Sequence, residues 1–285
     1  MSKKPYITVI TAVFNGAKTL QRCIDSVVNQ SYKDCEYIII DGGSTDGTLD
    51  ILKQNTNKIN FWLSEPDRGI YDAWNKALLL ARGEWICFLG ADDFFWKDDV
   101  LEKLLPSLRT VEPSSVKLIY GKAAILDSND SLVRFWDEPW ESAKDKINNL
   151  VMPIPHPGLM HHRSWFEKYG YFDASFQISG DYELLLRGWP HENAIYVDEV
   201  TVTGIRLGGI STTHNGRMKI MSECRKIQKN YKISPTIQYR SMVFGNYLRA
   251  SMIAILGERT TYALLDAKRK IMGQPLLWTR LSDST

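Results

Sequence analysis

The chain has 285 residues, 44% hydrophobic and 24% charged, a composition that supports a substantial core and reads as a soluble globular protein. Its formal net charge of +2 hides an asymmetry: residues 1–216 carry 22 Lys and Arg against 29 Asp and Glu, whereas residues 217–281 carry 13 against 3. An acidic core with a basic tail that lacks any base-reading motif argues against nucleic-acid binding.

Residues 6–14 are β-branched and aromatic and predict a first strand rather than a signal peptide, because Thr8 and Thr11 interrupt the apolar run and Asn15-Gly16 close it. A helix follows with Leu20, Ile24, Val27 and Val28 on one face. Residues 36–40 are a second short buried strand, ending in Asp41-Gly42-Gly43-Ser44-Thr45-Asp46-Gly47-Thr48 before the next helix. Strand, glycine turn and helix make a doubly wound unit, and Ser44 or Thr45 is placed to cap that helix. The turn is neither a G-x-G-x-x-G dinucleotide fingerprint nor a phosphate loop closed by Gly-Lys-Ser/Thr.

Residues 61–63 form a third strand, and the helix after Gly69 turns Ile70, Ala73, Ala77 and Leu78 inward while Asp72, Asn75 and Lys76 share its polar face. A fourth strand, residues 85–89, is apolar throughout and stops at Asp92-Asp93. These acids either cap a helix starting near Lys97 or bind a cation or hydroxyl. Four strands therefore end in polar clusters, at residues 11–15, 41–46, 67–75 and 92–93. In an open parallel sheet that edge is where ligands bind, so a nucleotide or similar ligand is expected there.

The order I-T-V-I-T-A-V-F-N, I-I-I-D-G-G-S-T-D-G-T, E-P-D-R-G-I-Y-D-A-W-N-K-A and G-E-W-I-C-F-L-G-A-D-D resembles the donor-binding half of family 2 inverting glycosyltransferases. The match is close over residues 5–95 and continues to about residue 215. The resemblance implies the Rossmann-like GT-A fold, a nucleotide-sugar donor that is usually uridine-linked, and inversion at the anomeric carbon. It implies a donor half at 1–95 and an acceptor half at 96–215, and the change of charge and pattern near residue 215 sets off a basic helical extension at 216–285. By the same resemblance Thr11, Phe14 and Asn15 line the nucleoside pocket, Asp41 faces the base, Ser44 belongs to the donor site, Arg68, Asp72 and Asn75 lie toward sugar and ribose, and Asp92 holds a divalent metal, Mn2+ or Mg2+. The chain departs from the usual Asp-x-Asp motif in having Gly90 at its first position.

Farther on, residues 116–126 and 132–136 predict strands of a smaller mixed sheet joined by the turn at 127–130. Three prolines between residues 152 and 157 make the chain around His156 extended. Similar enzymes place such a histidine beside the diphosphate or acceptor, and a structural loop histidine is the alternative. His161 and His162, adjacent on a strand, read as structural. Asp181, at the start of a helix with Leu184, Leu185 and Trp189 inward, is either an N-cap or a general base. The Glu-Asp-Tyr motif of the family assigns it the base, with Gly180 in place of the Glu. Two strands follow, at 194–197 and 200–205. His214, in the loop beyond, is by resemblance a second metal ligand and otherwise part of a lid.

No stretch offers the ~18 uncharged apolar residues of a membrane span, since residues 243–256 are cut by Arg249. Cys23, Cys35, Cys87 and Cys224 lack metal-ligand spacing and fit a reduced cytoplasmic compartment. From Met218 onward helices mix aromatic and cationic side chains, which suits packing on the catalytic domain, pairing with another subunit, or peripheral contact with an anionic membrane at its inner face.

The combined expectation is a glycosyltransferase that moves a sugar, from UDP or a similar carrier, to a hydroxyl of a glycan or lipid-linked oligosaccharide in surface polysaccharide or lipopolysaccharide biosynthesis. Gly90 and Gly180 keep open a sugar-nucleotide-binding protein without turnover. A nucleotidyltransferase is the other rival, but it needs a basic phosphate-gripping loop, and residues 11–18 offer one lysine.

Overall fold

The strands β1 (Ile7–Val13), β2 (Cys35–Asp41), β3 (Phe61–Ser64) and β4 (Trp85–Gly90) lie parallel in the order β3-β2-β1-β4. The computed structural model describes residues 4–110, 116–147, 150, 152–273 and 278–279, without the side chains of Thr212, His214 and Gln238. Each strand returns through a helix: α1 (Leu20–Val28), α2 (Thr48–Gln54) and α3 (Ile70–Leu80). Alternate strand residues serve opposite faces, as a pleated strand requires. Ile10, Ile38 and Phe88 pack with Tyr71 and Trp74 of α3, while Val9, Ile39 and Cys87 pack with Leu20 and Ile24 of α1 and with Leu101 and Leu104 of α4 (Val100–Thr110).

The second half of the chain extends the same sheet and does not form the smaller one expected. β8 (Met160–His162) pairs antiparallel with both β4 and β6 (Val116–Leu126), and β9 (Asn193–Arg206), β7 (Leu132–Trp136) and β5 (Phe94–Phe95) complete it. The two strands expected at 194–197 and 200–205 are one strand, β9, which stays paired with β6 through register shifts near Gly121 and Lys122. Since β5 intervenes and α4 starts only at Val100, Asp92 and Asp93 do not cap that helix.

α5 (Trp140–Lys146), α6 (Ser164–Tyr169) and α7 (Gly180–Gly188) cover the face that carries α3. The tail forms α8 (His214–Tyr231), α9 (Ile237–Leu256) and α10 (Glu258–Ile271). Cys224 and Ile227 of α8 are buried in the same core as Tyr182 and Leu184, so the change of charge near residue 215 is not a break in the core. Among the described residues no helix is long and apolar enough to cross a membrane.

Candidate active site

Beyond β4 the chain turns at Gly90, where a Cβ would lie 2.7 Å from Asp92 Oδ1 and 2.8 Å from Asp93 Oδ2; one on Gly209 would lie 2.9 Å from Asp92 Oδ2. Two missing side chains thus make the space the carboxylates occupy. Burial pushes the Asp92 carboxyl above its ordinary range, and burial with the Asp92 charge beside it pushes Asp93 well above. Arg206 opposes both shifts, yet its guanidinium donates to Asp130 at 2.6 and 2.8 Å. Oxygen donors in a site short of positive charge fit Mg2+ or Mn2+, which take one or two carboxylates and complete their shell with water and phosphate oxygens. Among the described residues no group of three His, Cys, Asp or Glu forms a fuller metal cage, and the side chain of His214 lies outside them.

Asp181 stands in the first turn of α7, whose N-cap position is Ser179, so it is not the cap. Its Oδ1 accepts the Tyr182 N–H at 2.8 Å and faces Tyr71 Oη at 3.2 Å. The one Tyr71 hydroxyl proton is shared between Asp181 Oδ1 and the Ile178 carbonyl, which lies at 2.5 Å. Burial raises the Asp181 carboxyl to about 6, while the bonds from Tyr182 and Tyr71 act in the opposite direction. The departure at Gly180 has a packing cause: a Cβ there would lie 2.7 Å from the Tyr71 ring. Upstream, Glu223 of α8 accepts the N–H groups of Gln177, Ile178 and Ser179 at 2.7, 3.1 and 2.8 Å. The tail therefore holds the loop that delivers Asp181.

Asp92, Asp93, His156 and Asp181 line one cavity of about 650 Å3, floored by Tyr71 and Trp74. The His156 ring, 3% exposed, stacks on Phe88 at 5.6 Å, and burial with the neighbouring His161 holds its pKa well below 6.5. It is neutral at physiological pH, so it brings no charge to a diphosphate. His161 and His162 are structural, their Nδ1 atoms bonded to Leu159 O and Ser164 Oγ.

The other expected donor residues form a separate rim at the ends of β1 to β3. Phe14 is 65% exposed there, and Asn15 donates its N–H to Ser44 Oγ and accepts from Thr45 N. Three of the expected donor residues have partners within the protein. Thr11 is fully buried against Tyr37 Oη at 3.1 Å, and Asp41 is enclosed, accepting from Gly43 N, Ser44 N, Ser44 Oγ and Ser64 Oγ. Asn75 clamps the Phe172 main chain through bonds of 2.8 and 3.0 Å. Ser44 thus serves Asp41, and the start of α2 is held instead by Asp46 through Thr48 N and Oγ1. Arg68 donates through Nε and Nη2 to Asp72 Oδ1, which holds the Asp72 carboxyl below its usual range.

Sequence reasoning passed over Tyr71 and Glu223. The signals were a glycine where the family has an acid, and a glutamate among only three acids in residues 217–281.

Buried acids facing a mostly apolar cavity beyond the strand ends of a doubly wound sheet make the ligand site of an α/β protein. The model of the family described as Glycosyl transferase family 2 matches residues 8–170, more than half of the chain, which belongs to that family and is a glycosyltransferase. A "PGL/p-HBAD biosynthesis glycosyltransferase" of Mycobacterium bovis is 30% identical over 216 residues, 73% of this chain and 80% of that protein. The fold is GT-A. The mannosyltransferase PcManGT of Pyrobaculum calidifontis, solved with GDP-Man and Mn2+, superposes with a TM-score of 0.63 at 17% identity, covering 99% of this chain and 85% of that one. TarS 1-349 of S. aureus, solved with UDP-GlcNAc, gives 0.59 at 14% identity over 93% and 85%. The chain spans about half the length of a longer TarS chain, 52%.

Proposed function

We propose that the protein transfers a sugar from a nucleotide-sugar donor, UDP-linked, to an acceptor hydroxyl with inversion at the anomeric carbon. The observation that carries this reading is the single cavity joining Asp181 to Asp92. Asp181 is the general base: it accepts the proton of the acceptor hydroxyl as that oxygen bonds to the anomeric carbon, opposite the departing diphosphate. A carboxyl raised to about 6 is still ionised at neutral pH and is more basic than an ordinary aspartate, which suits the task. Tyr71 and the Glu223-bound loop orient it. Asp92, with Asp93, would hold a divalent cation, which supplies charge to offset the leaving diphosphate. Phe14, Asn15 and Arg68 form the rim where the nucleoside is held.

The acceptor is a glycan or lipid-linked oligosaccharide of surface polysaccharide biosynthesis; apolar cavity walls such as Trp136, Met221 and Met242 support an acceptor with an apolar portion. Ile237, Phe244, Leu248 and Ile255 are exposed along α9 at spacings of seven, four and seven, which puts them on one helical face. With the basic tail, that face supports peripheral contact with an anionic membrane on the cytoplasmic side. The test is proton NMR of the product formed from a panel of UDP-sugars. An inverted anomer is expected, and a retained one contradicts the reading.

A further inference from the structure

Arg206, the last residue of β9, starts beside the carboxylate pair: its main-chain N–H and its side-chain charge both act to lower the Asp93 pKa, and its charge acts on Asp92 as well. Arg206 and Asp92 line the same cavity. The guanidinium fork, however, is engaged elsewhere. Its Nε and Nη2 donate to the two carboxylate oxygens of Asp130 at 2.6 and 2.8 Å. Asp130 lies in the turn between β6 and β7, in the left-handed backbone region at φ +60°, and its Oδ1 also meets Arg22 Nη1 of α1 at 2.8 Å. The Arg22 guanidinium carbon in turn lies 3.5 Å from the centroid of the Phe94 ring, and Phe94 follows Asp93 directly in the chain. One carboxylate thus holds two arginines beside the segment that carries the acid pair.

We propose that Asp130 is a positioning residue that keeps the Arg206 guanidinium off Asp92 and Asp93, so that the pair stays open to a divalent cation. The proposal rests on the reading of that pair as cation ligands. A guanidinium matches a carboxylate in geometry as well as in charge, so Arg206, whose main chain adjoins Asp93, is the competitor that a cation would have to displace. Mg2+ and Mn2+ are held by one or two carboxylates, and an arginine paired with either acid removes charge that attracts the ion. Asp130 occupies the fork instead, and Arg22 holds Asp130 in place.

The test is Mn2+ binding to the full chain, with and without UDP, followed by the electron paramagnetic resonance of the free ion. Wild type is compared with Asp130→Asn, Asp130→Gly and Asp130→Asn combined with Arg206→Gln, each checked by thermal melting. Asn and Gly both suit a left-handed backbone, so the turn is kept while the carboxylate is lost. The expected result is Mn2+ affinity about tenfold weaker in either single variant, and within about twofold of wild type or tighter in the double variant, which has lost the competitor. A merely structural role for Asp130 weakens Mn2+ binding whether or not Arg206 is present, so a double variant as weak as Asp130→Asn overturns the proposal. Folded single variants within about twofold of wild type overturn it as well, and leave the cation reading of Asp92 and Asp93 standing. A wild type that binds no Mn2+ under either condition removes that reading and the proposal with it.

Discussion

Tyr71 Oη lies 3.2 Å from Asp181 Oδ1 across 110 residues of sequence, and the missing side chain of Gly180 lets the tyrosine ring come that close. The contact joins α3, whose N-terminus belongs to the donor rim, to α7, which carries the proposed base. Phe172 stacks on the same ring at 5.5 Å and fixes its plane.

Tyr71→Phe keeps the ring and removes the hydroxyl. The expected result is a fall in kcat of about ten- to a hundredfold, the kinetic equivalent of losing a hydrogen bond to a charged group, with UDP affinity unchanged. Since the Tyr71 bond lowers the Asp181 pKa, the acidic limb of the pH profile moves to higher pH in the variant. A profile that does not move makes Tyr71 a packing residue only.

Gly180→Ala places a methyl group 2.7 Å from the Tyr71 ring. Overpacking of this kind costs ~1–3 kcal/mol, visible as a lower denaturation midpoint, despite the better helix propensity of alanine. Tyr71→Leu combined with Gly180→Ala restores part of that stability.

Glu223→Gln replaces an acceptor of three main-chain bonds by a group with one acceptor oxygen and an NH2 that opposes the loop. A loss of ~1–3 kcal/mol is expected, together with faster proteolysis near Gln177 and lower kcat. Unchanged proteolysis would show that α8 does not hold the loop.

The sequence of β1 to β4, their polar ends and the placement of Asp92 were legible because buried parallel strands leave continuous apolar runs and the acids stand at their ends, and Asp181 was legible at the start of an amphipathic helix. The partners of Asp41 and Asn75 were not legible, because the same polar residue types that greet a ligand also close turns and clamp main chain, and Ser64 and Phe172 are distant in sequence. Tyr71 and Glu223 were not legible as residues of the site. Each reaches the site through a contact distant in sequence, and periodicity on its own helix says nothing of the other side.

Chelation by EDTA is expected to suppress transfer and to weaken UDP binding, with Mn2+ or Mg2+ restoring both. Asp92→Asn should abolish the restoration while leaving the melting temperature near that of wild type, since the carboxylate is destabilised by burial. Full activity in EDTA would remove the metal from the account.

The Asp181 shift also carries a stability signature. Its folded-state pKa of about 6 lies above the ordinary aspartate value of 3.8, so the fold disfavours the charged form, and this group's contribution falls as pH rises from about 4 through 6. Asp181→Asn is therefore expected to melt at or above the wild-type temperature at pH 8.

The most direct test is the pH dependence of kcat/KM for sugar transfer by wild type and Asp181→Asn, with UDP binding measured on both. A wild-type profile that falls tenfold per pH unit below about 6, and a variant that binds UDP normally but transfers at least about a thousandfold more slowly, is the predicted result. A variant within tenfold of wild type, or a profile flat to pH 5, would contradict the assignment of Asp181 as the base.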